Sequence, residues 1–122
     1  MDTDAVMAWV AGYERAWRED DLAGLDRLFT DDAQYLTSPY SAPWNGLAAI
    51  REHWSDDGPF EMSAEPVAVE DRSAVVRVLV RYVAEPQQEY LDLWVLRFAE
   101  DGRVEHFEEW AYWPDKPFSA TQ

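Results

Sequence analysis

The sequence has no cysteine, which removes disulfides, thiolate metal sites and a cysteine nucleophile together. Lysine is nearly absent, with Lys116 the only one beside nine arginines, and that bias carries no functional reading. Glycine is scarce and scattered, so no loop resembles a phosphate cradle. No apolar run approaches the ~20 residues of a membrane span. The acidic start Met1-Asp2-Thr3-Asp4 leads into an amphipathic pattern rather than a signal peptide. Positive charge is outnumbered, and the net charge of −15 would repel a nucleic-acid backbone or an anionic membrane. The two histidines, His53 and His106, do not stand at helical ligand spacing, and no compact His/carboxylate cluster is evident. We therefore expect no metal, no cofactor, no nucleic-acid partner and no membrane. A cysteine-free chain suits a reducing cytoplasm, the expected location.

Aromatic residues, by contrast, are abundant: seven Trp, six Tyr and five Phe make up 15% of 122 residues. Either the core is aromatic, or some rings line a cavity or a subunit contact. With 48% apolar residues, the chain suits one packed domain over 1–122.

Thr3 or Asp4 can cap a first helix, whose buried stripe is Val6, Val10, Tyr13 and Trp17, widened by Trp9 and Ala16. Asp21 can cap a short second helix carrying Leu22, Leu25, Leu28 and Phe29, broken by Thr30-Asp31-Asp32. Ala33 to Thr37 reads as a short strand and Ser38 to Asn45, with two prolines, as a loop. Gly46 precedes a third helix with Leu47, Ile50 and Trp54 buried, ending near Asp57-Gly58-Pro59. After Phe60 the period changes to two, predicting strands at about 61–70, 73–84, 88–99 and 103–113. The turns are Glu70-Asp71-Arg72, Glu85-Pro86-Gln87 and Glu100-Asp101-Gly102, and the tail from Pro114 reads as loosely ordered. Helices followed by an antiparallel meander make an α+β pattern. The acidic doublets Asp20-Asp21, Asp31-Asp32 and Asp56-Asp57 read as caps and solvated turns.

Alternation sorts each strand into two faces. Arg77, Arg81 and Arg97 share one face with Glu105 and Glu109, where opposite charges can pair across strands. That face is read as the outer one. It also carries Leu79, Leu93, Val95, Phe107 and Trp113, too apolar for water, so a homodimer packed sheet to sheet is expected to cover it. The inner face then holds Tyr90, Asp92, Trp94, Leu96 and Phe98 on one strand. On the last strand it holds Val104, His106, Glu108, Trp110 and Tyr112.

Tyr13-Glu14-Arg15-Ala16-Trp17, Asp21-Leu22, Leu28-Phe29-Thr30-Asp31-Asp32-Ala33, Gly46, Ala49-Ile50-Arg51 and Asp101-Gly102-Arg103-Val104 together resemble the SnoaL-like proteins of the nuclear transport factor 2-like superfamily. The likeness runs from about Asp4 to Trp113. It implies a cone-shaped curved antiparallel sheet wrapped around three N-terminal helices, with a pocket between them, often in a dimer. Such folds host isomerases, dehydratases, epoxide hydrolases, cyclases and silent binding domains, so the fold does not decide activity. Alongside the ketosteroid isomerases, Tyr13 falls at the oxyanion-stabilising tyrosine. The catalytic base falls at Thr37 and the neutral carboxylic acid at Trp94, which argues against that activity. In the limonene-type epoxide hydrolases, the Arg-x-Asp pair falls at Val76-Arg77-Val78 and the last Asp near Tyr112, against that activity too. The superfamily's dehydratases use paired histidines, and the inner face offers one.

The candidate acid/base groups are therefore Asp92, Glu108 and His106. A carboxylate beside Trp94 and Trp110 would be desolvated and its pKa raised. The plainer reading puts Asp92 or Glu108 at a solvated rim, and a one-residue bulge would turn His106 outward. Tyr13, Trp17, Tyr35, Trp54, Trp94 and Trp110 are the candidate ligand-binding lining. The alternative is that they fill the core, which suits Trp17 and Trp54 best. His53 reads as surface. Two functions follow. One is a domain that binds a hydrophobic small molecule in an aromatic pocket, toward which the missing family carboxylates lean. The other is a cofactor-independent lyase, isomerase or cyclase using an inward carboxylate.

Overall fold

A computed structural model describes residues 1–54, 58–84 and 87–115. The predicted turn at Glu85-Pro86, the end of the third helix at Asp57 and the tail from residue 116 lie outside the described residues. Helix α1 spans Thr3–Glu19. Its cap is Asp2 rather than Thr3 or Asp4, because the Asp2 side chain accepts from the Ala5 amide, one of the four free N–H groups of the first turn. At the other end Asp20 takes a left-handed conformation, at φ 51°, and its N–H returns to the last carbonyls.

The expected second helix is only a 3₁₀ turn over Ala23–Arg27, leaving two α-helices among the described residues rather than three. Leu22 stands at its cap position, and the Asp21 side chain before it accepts from the Gly24 amide. Leu28 and Phe29 leave it early because strand β1 begins at Phe29 and runs to Leu36, through the Thr30-Asp31-Asp32 segment expected to be a break. Phe29 is fully buried, and pairing with the last strand outweighs the turn chemistry of the aspartates. A two-residue strand β2, Trp44–Asn45, pairs with β1 inside the expected loop. Gly46, at φ 90°, turns the chain into α2, Leu47–His53.

Four long strands follow: β3 Phe60–Glu70, β4 Ser73–Tyr82, β5 Gln88–Phe98 and β6 Val104–Tyr112. They form one six-stranded sheet in the order β2-β1-β6-β5-β4-β3. The sheet is mixed, not purely antiparallel, because β1 lies parallel to β6. That pairing places the N-terminal third of the chain beside its last strand.

α1 packs on one face of this sheet. Trp9 sits at the narrow end, edge-on to Phe29 and Phe98, and its indole N–H donates to the Leu28 carbonyl at 2.9 Å. The same carbonyl accepts from the Val104 amide at 2.8 Å. One oxygen thus ties the helix, the start of β1 and the start of β6. Val76, Val78, Val80, Leu96, Phe98 and Phe107 complete the core beneath the helix.

The faces of β4 and β5 follow the alternation: Val76, Val78, Val80, Asp92, Trp94 and Leu96 point inward. β6 departs from it. Phe98 pairs with Val104, but Arg97 pairs with His106, so Glu105 is an extra residue with no partner of its own. The bulge reverses the parity of everything beyond it. Phe107 is fully buried, not outer, and Glu109 faces inward with it. His106, Glu108 and Trp110 are turned to the convex face, correcting their expected place on the concave one. They line up there as strand neighbours do: Glu108 reaches His106 Nε2 at 3.3 Å and accepts from Trp110 Nε1 at 2.6 Å.

Candidate functional site

Between α1, α2 and the wide end of the sheet lies an open cavity of about 640 Å³. This lies inside the roughly 300–1,000 Å³ span of small-molecule sites. Its floor is a ring stack: Tyr13 lies parallel to Phe107 at 5.6 Å, and Phe107 parallel to Tyr35 at 4.3 Å. Trp94 leans on both Tyr13 and Phe107. Toward the mouth, Trp44 continues the stack from Tyr35 and meets the exposed His53 ring. Trp17, Trp54, Tyr82, Tyr90 and Trp113 form the remaining wall.

Five of the six expected lining aromatics therefore border one cavity: Tyr13, Trp17, Tyr35, Trp54 and Trp94. Trp110 does not, being 42% exposed on the other face. Of the three candidate acid/base groups Asp92 reaches the cavity, whereas His106 and Glu108 do not. Alternation missed Glu109, which the bulge brings in. The signal for it was present. Val104 and Phe107 are apolar and three apart around the polar pair Glu105-His106, which an unbroken period of two cannot bury together. His53, read as surface, is exposed and also edges the mouth.

Two pairs of polar groups stand in this aromatic setting. The Tyr13 and Tyr35 hydroxyls are 2.7 Å apart and buried. Two hydroxyls sharing one hydrogen bond leave one hydrogen to donate elsewhere. Burial pushes both phenols well above their ordinary range, and the carboxyls of Glu109 and Asp92 add to the rise.

Those carboxyls form the second pair: Glu109 faces Trp94 across the strands and so lies diagonal to Asp92, and each shifts the other's pKa. Asp92 is 3% exposed, and its Oδ1 has no donor among the described residues. Burial raises its pKa, while the proton offered by Glu109 and the nearby Trp94 indole partly offset the rise. The Trp94 Nε1 stops short of a full hydrogen bond. Burial raises Glu109 well above the carboxylate range, and its bond to Asp92 and the Asp92 charge raise it further. Two adjacent carboxyls cannot both ionise cheaply, and Glu109, raised further than Asp92, is the one favoured to hold a proton the pair shares. Such a pair can give a proton at one atom and take one at another. Among the described residues, no three His, Asp or Glu side chains converge as a metal site would need.

Residues 10–107 match the family model described as SnoaL-like domain. No curated protein matches the sequence. Among solved structures, the chain is similar to SalBIII, an epoxide hydrolase/cyclase-like enzyme in pyran ring formation in the polyether salinomycin. Identity is 19%, TM-score 0.74, and 92% of each chain is covered. An LEH-like epoxide hydrolase from Mycobacterium tuberculosis matches at 14% identity and TM-score 0.64, over 90% of this chain and 84% of that one. A steroid delta-isomerase from Pseudomonas aeruginosa matches at 24% identity and TM-score 0.65, over 95% and 85%. At these identities the likeness is one of fold.

Proposed function

The chain belongs to the SnoaL-like domain family, and we propose that it is a cofactor-independent acid–base catalyst acting on a hydrophobic small molecule held in the aromatic cavity. The observation that carries this reading is that Asp92 and Glu109, diagonal neighbours on the concave face, both border the aromatic cavity. Asp92 takes a proton from a C–H or O–H of the ligand, and Glu109 gives its proton to another ligand atom. Asp92 is then the acid and Glu109 the carboxylate, and a proton passing between them resets the pair. No electrons are exchanged, so the scheme serves isomerisation, loss of water or ring closure. The spare hydrogen of the Tyr13–Tyr35 pair orients a ligand oxygen. The aromatic walls exclude water, which strengthens each of these contacts.

The test uses neutral cyclic β,γ-unsaturated ketones, β-hydroxyketones and hydroxy-epoxides incubated with the protein in D2O. Deuterium incorporation or product formation is read by mass spectrometry. Asp92→Asn and Glu109→Gln are expected to keep the fold and lose about a hundredfold or more in rate. Unchanged rates in both variants would sink the reading.

Capture without turnover is the second reading, favoured by Thr37 bordering the cavity where the isomerase likeness calls for a base. It predicts tight retention of one such compound with no deuterium uptake.

The convex face supports a homodimer. Leu91, Leu93 and Trp110 are exposed there. The ion pairs Arg77–Glu65, Arg81–Glu89 and Arg97–Glu105 lie on the same face. An apolar centre with a polar rim is the anatomy of a subunit contact. A cytoplasmic location rests on the lack of cysteine, and a fluorescent fusion in the host tests it.

A further inference from the structure

The cavity is one-sided in charge. Among the described residues neither Arg nor Lys borders it, while Asp92 and Glu109 both do. The other titratable groups around it are Tyr13 from α1, Tyr35 from β1, Tyr82 from β4, Tyr90 from β5 and His53 at the end of α2. No ion pair joins Asp92 or Glu109 to a basic side chain among the described residues. A buried carboxylate without a cationic partner is costly. A proton shared by the two carboxyls limits that cost to a single charge.

We infer that the occupant of this cavity carries an organic cation, a tertiary or quaternary ammonium group seated between the aromatic walls and the Asp92–Glu109 pair. The inference rests on the reading of that pair as the reactive centre and names the class of ligand it receives. Five tryptophans and four tyrosines border the space, and ring faces attract cations, tryptophan most strongly. The Asp92 Oδ1, which has no donor among the described residues, marks where a counter-charge would sit. The carboxyl field that discourages the tyrosines from ionising also favours a positive group among them. At long range the net charge of −15 draws cations to the molecule. The ammonium charge then stands opposite the Asp92 carboxylate, and Glu109 keeps the proton that the acid–base reading has it give to the ligand.

The probes are benzyltrimethylammonium and neopentylbenzene, its neutral carbon isostere, each titrated into the full chain and read by tryptophan fluorescence. The cation is expected to bind about tenfold more tightly. The preference should vanish in the Asp92→Asn/Glu109→Gln double variant. Equal or tighter binding of the neutral isostere by the unaltered chain overturns the inference. If the isostere is preferred while deuterium exchange still depends on Asp92 and Glu109, the ligand class falls and the acid–base reading stands. If the cation is preferred and no exchange occurs, the ligand class stands and the acid–base reading falls.

Discussion

Trp94 on β5 and Glu109 on β6 are cross-strand partners, so the glutamate shares the concave face with the most deeply buried tryptophan of the sheet. Two residues from Trp94 on the same face is Asp92, diagonal to Glu109, and that diagonal brings the two carboxyls together.

Their raised pKa values make stability depend on pH with a definite sign. Both groups hold a proton more tightly folded than unfolded, so the stability they contribute is fully present below their ordinary range. It is lost as pH rises through the raised folded values. Urea midpoints should therefore fall over that window in the unaltered chain relative to Asp92→Asn/Glu109→Gln. Glu108→Gln, on the convex face, should follow the unaltered chain. Parallel curves for the unaltered and doubly substituted chains would show that the pair does not hold its proton.

The Tyr13–Tyr35 contact should appear as coupling. Tyr13→Phe or Tyr35→Phe alone leaves a buried hydroxyl without its partner, costing about 1–3 kcal/mol. Removing both removes the bond and the orphan together, so the double substitution should cost less than the sum of the singles. A cycle of urea denaturations reads the difference. Strict additivity would mean that the hydroxyls find other partners.

Trp9→Phe keeps most of the aromatic packing and deletes one donor. The Leu28 carbonyl would retain the Val104 amide, so the loss should be about 1–2 kcal/mol rather than that of an orphaned group. The substituted chain should also exchange the Val104 amide faster, because that bond joins β1 to β6 where the helix pins them. Hydrogen exchange at Val104 checks it.

Much of the architecture was legible because its signals are periodic. The Val76, Val78, Val80 run and the Asp92, Trp94, Leu96 run read directly as inward faces, and the stripe from Val6 to Trp17 as a helix. What failed was local. Asp31 and Asp32 look like a turn, and they do fall where the register shifts between the Phe29–Val104 and Gln34–His106 pairs, yet the pairing on either side carries the strand through them. That pairing joins segments far apart in sequence, which no short window contains. At β6 the doublet Glu108-Glu109 offers a carboxylate to either face, so only the parity around it decides which one enters the cavity. A single extra residue, Glu105, reverses that parity and exchanges Glu108 for Glu109. Asp92, upstream of the bulge, was unaffected.

The convex face supplies the last prediction. Leu93 and Trp110 are cross-strand partners, 40% and 42% exposed, and Leu91 lies beside them. Apolar groups of this size in a row on a sheet favour burial against another surface. A second copy offers the same row, with ion pairs at its margin that can exchange partners across a two-fold axis. Sedimentation at micromolar concentration should find a dimer. Leu93→Arg places a charge at the centre of each half and should yield a monomer with the same circular dichroism, since the side chain lies outside the core. A monomeric unaltered chain, or a Leu93→Arg dimer, would show that this face is not where two copies meet.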